Sequence, residues 1–114
     1  MKRIGYFALV LLLTNISFSA YSAEGDTGWR NITGFGCHLN DGTCYMDIDG
    51  PAVGPAECLS NNVRFDVLGS MNGKTWLAMI KTAYLLGKEV RFNIKGCYSF
   101  QPLFPTFSWG RINK

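Results

Sequence analysis

The sequence predicts a small, mainly β domain with a single helix. Short stretches that alternate apolar and polar residues lie on both sides of one segment with helical periodicity. Stretches rich in Pro and Gly separate several of these segments. All four cysteines follow an apolar N-terminal segment, which indicates an exported, disulfide-stapled chain. With 114 residues, the chain has room for one domain.

Residues 1–23 have the three-part layout of a secretory signal peptide. Lys2 and Arg3 form a positive head, residues 4–13 are apolar, and small residues follow. The apolar run is shorter than the roughly 20 residues that a membrane-spanning helix needs. We therefore expect a cleaved signal and a secreted or periplasmic protein.

Cleavage is expected after Ser22 or Ala23, which leaves residues 24–114 as one mature domain without a membrane span. This domain has nine Lys and Arg against eight Asp and Glu, a net charge of +1. Its charges are unevenly distributed: residues 24–66 hold two basic and seven acidic side chains, and residues 67–114 hold seven basic and one acidic. Such a dipolar chain can attract copies of itself or an acidic partner, unless folding interleaves the two halves.

The first two predicted strands form a hairpin. Residues Trp29–Phe35 are rich in β-formers, and Tyr45–Asp49 alternates apolar and polar residues. Between them, Leu39–Gly42 is a strong turn signal, Leu-Asn-Asp-Gly. This turn brings Cys37 and Cys44 nearly opposite each other, with a register that could slip by one residue.

The four cysteines of an exported chain are expected to form two disulfides. Four cysteines allow three pairings; the hairpin favours Cys37–Cys44, which leaves Cys58–Cys97 as the second bridge. The cysteine spacings fit no zinc ribbon or finger, and only His38 could add a ligand. We therefore expect no metal and no other cofactor.

A loop and a third strand follow the hairpin. Residues 50–57 hold two Gly and two Pro and are predicted to be a loop. Residues Asn62–Leu68 alternate cleanly between apolar and polar side chains, which is typical of a strand with one face in water.

Residues 73–86 change to a helical period. Ser70 or Asn72 can cap the start of this helix, and Gly87 can end it in the left-handed conformation. Its apolar stripe is predicted to consist of Trp76, Met79, Ile80, Ala83 and Leu86.

Two more strands follow the helix. Residues Glu89–Ile94 alternate again, 98–105 form an aromatic loop with two prolines, and Thr106–Ile112 is predicted as a last strand with Phe107, Trp109 and Arg111 on one face. The resulting order, β-β-β-α-β-β, is that of the oligomer-binding (OB) fold, a five-stranded barrel. An open antiparallel sheet with a packed helix would give the same pattern.

The pattern of reactive side chains does not predict an enzyme. His38 adjoins Cys37, but a cysteine expected to be in a disulfide cannot act as a nucleophile. Asp47 and Asp49 share a strand face, for which a solvated surface is the simpler interpretation. No serine lies in a G-x-S-x-G motif.

The stretch Tyr98–Trp109 is the best candidate for binding, because it places five aromatic side chains between Pro and Gly residues. Aromatic rings with nearby polar groups are typical of small-molecule and sugar sites. A nucleic-acid site would need a basic groove with stacking aromatics. The net charge of +1 and the predicted export argue against nucleic acid.

The second half of the chain resembles the B subunits of bacterial toxins that carry one enzyme chain on a pentamer of binding chains, of the subtilase cytotoxin and typhoid toxin type. The resemblance rests on Trp76-Leu77, Ala83, Gly87-Lys88-x-Val90-Arg91-Phe92 and Gly96-x-Tyr98-Ser99-Phe100-x-Pro102, and it covers roughly residues 70–104.

This resemblance implies an OB barrel, a homopentameric ring, a cell-surface glycan such as a sialylated one as ligand, and a catalytic A-type partner chain. Phe100 falls where the family has a glycan-contacting tyrosine, although it lacks the hydroxyl. Tyr98 lies two residues before it. The family's serine that binds the sugar's carboxylate has no clear match; Arg30, Asn31 and Thr33 occupy that region. The disulfide Cys58–Cys97 is not the family's bridge.

The sequence thus predicts a secreted or periplasmic, non-enzymatic binding module with Phe100, Tyr98, Arg30 and Asn31 as ligand-binding candidates and no catalytic residue. The alternative is a small exported factor, an inhibitor or envelope protein, that binds a partner protein on the same scaffold without a glycan site.

Overall fold

The computed structural model describes residues 24–113; the predicted signal peptide and its cleavage site lie outside this range. No helix within residues 24–113 has the length and apolarity that a membrane crossing requires. The elements are β1 (Gly25–Asp26), β2 (Arg30–Cys37), β3 (Thr43–Ile48), a 3-10 turn (Ala56–Cys58), β4 (Asn62–Asp66), α1 (Gly73–Leu86), β5 (Glu89–Cys97) and β6 (Pro105–Ile112).

The fold is mainly β, and all strands pair antiparallel in one sheet. β5 lies at its centre, with β6 along one edge and β1 and then β2 along the other. β3 follows β2, and β4 forms the far edge. The predicted order therefore differs only by the two-residue strand β1, in which Gly25 and Asp26 pair with Ile94 and Asn93. Two residues are too few for the alternation that reveals a strand.

The predicted five-stranded barrel is not closed: the sheet is open between β4 and β6, which agrees with the alternative of an open antiparallel sheet with a packed helix. These strands approach each other through a side chain: the Thr106 hydroxyl donates to the carbonyl of Arg64 at 2.7 Å, and no backbone ladder joins them within residues 24–113. β4 ends early at Asp66, whose carboxylate accepts the backbone N–H groups of Leu68 and Gly69 at 3.1 and 3.0 Å. These bonds form a turn directly at the end of β4.

The helix has the predicted bounds, and Gly87 ends it in the left-handed conformation at φ 69°. The predicted side-chain cap is wrong, because Asn72 makes no capping bond and Ser70 donates to the carbonyl of Asp66 instead. The buried face also differs from the predicted stripe, since Met79 and Leu86 are exposed. Residues that do face the core are Gly73, Trp76, Leu77, Ile80 and Ala83, at a spacing of three or four.

A one-residue register shift in β6 changes the face of the sheet on which its following side chains lie. Asn93 pairs with Trp109, but Ile94 pairs with Phe107, so Ser108 is the extra residue of a bulge. This change turns Phe107 toward the core and Trp109 toward the outside. The predicted common face of Phe107 and Trp109 is therefore wrong.

Both expected disulfides are confirmed: Cys37 pairs with Cys44, and Cys58 pairs with Cys97. The first joins residues 7 apart across the turn of the β2–β3 hairpin. The second joins residues 39 apart and ties the loop before β4 to the end of β5.

Removing the second disulfide should destabilise the protein more than removing the first. Replacing Cys58 and Cys97 by Ala should lower the free energy of unfolding by about 4 kcal/mol, and replacing Cys37 and Cys44 should lower it by about 2.5 kcal/mol, because the longer loop gains more entropy in the unfolded chain. Urea titrations of the two double variants measure this difference. Equal losses would contradict the loop-entropy explanation.

Candidate functional site

The structure places the four ligand-binding candidates at opposite ends of the sheet. Arg30 and Asn31 begin β2, next to the end of β3. Tyr98 and Phe100 follow β5, next to the turn between β2 and β3. The two pairs therefore do not form one site.

The side chains of Arg30 and Asn31 stabilise the chain around the end of β3 by hydrogen bonds. The Arg30 guanidinium donates to the carbonyls of Thr27 and Pro51, both at 2.9 Å. The backbone and side-chain N–H groups of Asn31 donate to the carboxylate of Asp49 at 2.8 and 3.1 Å. Both bonds lower the pKa of Asp49, and the bond from the Asn31 side chain has the larger effect. Polar groups that are engaged in this way are poor candidates for a ligand site.

Tyr98 is buried, with 4% of its surface exposed. Its hydroxyl shares a hydrogen bond of 2.9 Å with the hydroxyl of Thr43, which is itself buried. Burial raises the pKa of Tyr98, because the charged phenolate would be desolvated here. The ring also supports Phe100, which packs edge-on at 5.6 Å and is 67% exposed. Phe100 is accessible to a ligand, and Tyr98 holds the Phe100 ring in position.

A cleft of about 450 Å³ lies between β4 and β6, where the sheet is open. The start of α1 and the end of β5 close its other sides. Its volume is in the range of small-molecule sites, about 300–1,000 Å³. The predicted site residue Tyr98 is part of its lining, whereas Phe100 borders a neighbouring surface pocket with Asp41 and Leu68.

Aromatic side chains form the inner wall of this cleft. The rings of Trp76 and Phe107 meet edge to face at 5.2 Å, and Phe65 packs on Phe107 at 5.7 Å. All three belong to or pack against the core, which holds the rings in fixed positions. A rigid apolar wall can receive the flat face of a ligand without ordering cost.

Polar side chains surround the opening of the cleft. Asn72, at the start of α1, brings an amide that makes no capping bond. The carboxylate of Asp66 also lines the cleft but accepts turn N–H groups. Hydroxyl groups come from Ser70, Ser99, Thr106 and Ser108. The hydroxyls of Ser70 and Thr106 already donate to the carbonyls of Asp66 and Arg64, so they can only accept a hydrogen bond from a ligand. This set of an amide and hydroxyls suits the hydroxyl groups of a neutral polar ligand.

A stacked arginine lies beside the cleft, on the outer face of β4. The Arg64 guanidinium lies 3.6 Å from the ring centre of Phe104 and 4.9 Å from that of Tyr45. It also donates to the side-chain oxygen of Gln101. Sequence reasoning missed this cluster; the pairing of Tyr45 with Arg64 on adjacent strands is the signal that could have revealed part of it.

The side chains weighed for catalysis do not converge on the cleft. His38 lies near the hairpin turn with its Nδ1 3.1 Å from Asp41. The backbone N–H of Thr43 is the main cause that lowers the pKa of Asp41, followed by the bond to His38. Within residues 24–113, no three His, Cys, Asp or Glu side chains are grouped to hold a metal ion.

Comparison with known proteins finds no family model, no curated protein and no solved structure that matches the chain. The geometry of the cleft is therefore the basis for a functional assignment.

The bond between Tyr98 and Thr43 can be tested by a double-mutant cycle. Either Tyr98→Phe or Thr43→Val should lower the free energy of unfolding by about 1–2 kcal/mol, because each leaves a buried hydroxyl without its partner. The double variant should lose clearly less than the sum. Urea unfolding measures all four proteins, and strictly additive losses would show that the two hydroxyls do not depend on each other.

Proposed function

We propose that this chain is a non-enzymatic binding module that takes a carbohydrate in the cleft between β4 and β6. The observation that carries the proposal is the combination of a fixed aromatic wall with a rim of hydroxyl and amide groups. Sugar rings present apolar faces that stack on aromatic side chains, and their hydroxyls need such polar partners. The nearby Phe100 is exposed and can extend this contact surface.

The assignment of the scaffold to the OB type belongs to the same proposal. It is supported by the position of β2 between β3 and β5 and by the helix between β4 and β5. OB domains bind ligands at the face of their second and third strands and at two flanking loops. In this chain the corresponding loops are the hairpin turn after β2 and residues 98–104, which meet beside Arg64.

We extend the proposal to the assembly that the toxin B-subunit resemblance implies: an exported homopentameric ring that recognises a cell-surface glycan and carries a catalytic A-type chain. The two disulfides support an oxidising, extracytoplasmic location.

A second candidate function, an exported protein-binding factor, is favoured by the outer side of α1. Met79, Leu85 and Leu86 are exposed there. With Ile112 of β6, two of these residues border an apolar groove of about 390 Å³. An exposed apolar patch is typical of a protein contact.

The cleft proposal predicts that rim variants lose binding to a panel of immobilised neutral oligosaccharides. Asn72→Ala should weaken binding by about tenfold, because it removes one amide partner. Ser99→Trp should abolish binding, because it fills the opening. Both side chains are exposed, so the melting temperature should change little.

Asn40→Ala is the matched control, since Asn40 is an exposed amide in the hairpin turn, outside the cleft. It should bind like the wild type. The proposal is wrong if the wild type binds no member of the panel, or if Ser99→Trp binds unchanged.

The ring assembly predicts a native mass near five protomers for the oxidised mature chain. Light scattering on a sizing column measures this mass directly. A monomer would overturn the ring, and a one-to-one complex with an endogenous protein would favour the protein-binding function instead. Binding in the cleft is tested separately by the rim variants.

A further inference from the structure

The outer face of β5 and β6 combines exposed tryptophans with arginines. Pairing places Asp26, Asn93 and Trp109 in one row across β1, β5 and β6. In the next row, Trp29 lies beside Arg91, which pairs with Arg111. We call this surface the tryptophan–arginine face; it consists of Asp26, Trp29, Arg91, Asn93, Trp109 and Arg111.

Two like charges face each other on this surface. Arg91 and Arg111 are directly opposite on adjacent strands, an arrangement that destabilises a sheet. Arg91 is compensated, because its Nε donates to both carboxylate oxygens of Asp26 at 2.9 and 2.8 Å. Arg111 is exposed and forms no ion pair within residues 24–113. Arg111 is therefore a cation that the stability of the fold does not require.

Both tryptophans of this face are partly exposed. The bulge at Ser108 turns Trp109 outward, where it is 50% exposed. Trp29 is 37% exposed, and the Arg91 guanidinium lies 5.6 Å from its ring centre. Strand spacing of about 4.8 Å and a rise of about 3.4 Å per residue put the backbones of the two tryptophans on the order of 12 Å apart. The span fits a short oligosaccharide with the arginines between its ends.

We propose that the tryptophan–arginine face is a second binding site, separate from the cleft, for an acidic polysaccharide. The sugar rings stack on Trp109 and Trp29, and a sulfate or carboxylate group accepts hydrogen bonds from Arg111. The Asn93 amide, held by Ser108 at 2.9 Å, lies between the strands as a further polar contact. Asp26 repels an anion, so the acidic group lies on the β6 side.

A polysaccharide fits this face better than a nucleic acid. The two disulfides are typical of proteins in oxidising compartments outside the cytosol. The face also lacks the continuous basic groove that tracks a phosphate backbone, because Asp26 neutralises Arg91.

Calorimetric titration of the oxidised chain with a heparin-derived hexasaccharide tests the proposal. Arg111→Gln should lower the affinity for the hexasaccharide by about tenfold or more, because it removes one charged hydrogen-bond partner. Trp109→Ala should lower it by a similar factor. Arg111→Gln should also unfold at the same or a higher urea concentration, because it removes the repulsion from Arg91.

Lys81→Gln is the matched control, since it removes the same charge from an exposed position on α1. It should leave the affinity nearly unchanged. An equal loss in Lys81→Gln would show non-specific charge attraction, and tighter binding of a single-stranded oligonucleotide of equal charge would assign the face to nucleic acid; either result overturns the proposal. Ser99→Trp should bind the hexasaccharide normally, which separates this site from the cleft.

Discussion

The packing of Phe92 is the interaction on which the rest of the structure depends. Its ring lies 4.5 Å from that of Phe107 and 5.9 Å from that of Trp76, so it joins β5, β6 and α1. The ring fits only because Gly110 faces it; a Cβ at Gly110 would lie 2.5 Å from a Phe92 ring carbon. The same cluster continues to Phe65 and becomes the wall of the cleft. Stability and the candidate site thus share one set of rings.

The sequence predicted the features that depend on residues close together in the chain. The bounds of α1 follow from its period and from Gly87, and the hairpin turn predicted the pairing of Cys37 with Cys44. The open edge between β4 and β6 and the bulge at Ser108 depend on pairing between distant segments, for which a single sequence carries little signal. The inward face of α1 was predicted correctly at Trp76, Ile80 and Ala83 but not at Met79 and Leu86, because hydrophobicity alone does not say where a short sheet stops covering a helix.

The candidate site was predictable only in part, for a related reason. The aromatic stretch after β5 contains the two predicted candidates Tyr98 and Phe100, which border the cleft and its neighbouring pocket. The rim residues, such as Asn72, are common polar residues at element ends, and only the fold brings them together. Arg30 and Asn31 show the converse: polar side chains next to a strand start can serve a turn entirely. Whether a polar group is available to a ligand depends on how many of its bonds the backbone already uses.

The position of β2 in the sheet has a consequence for how the chain folds. β2 pairs with β3 directly after it, but its other edge pairs with β5, where Arg30 pairs with Val90, sixty residues later. The centre of the sheet therefore stays incomplete until most of the chain has emerged from the ribosome. A topology dominated by such distant contacts folds slowly. Slow folding leaves time for the two disulfides to form while the sheet is still incomplete, so that oxidation and strand pairing can proceed together.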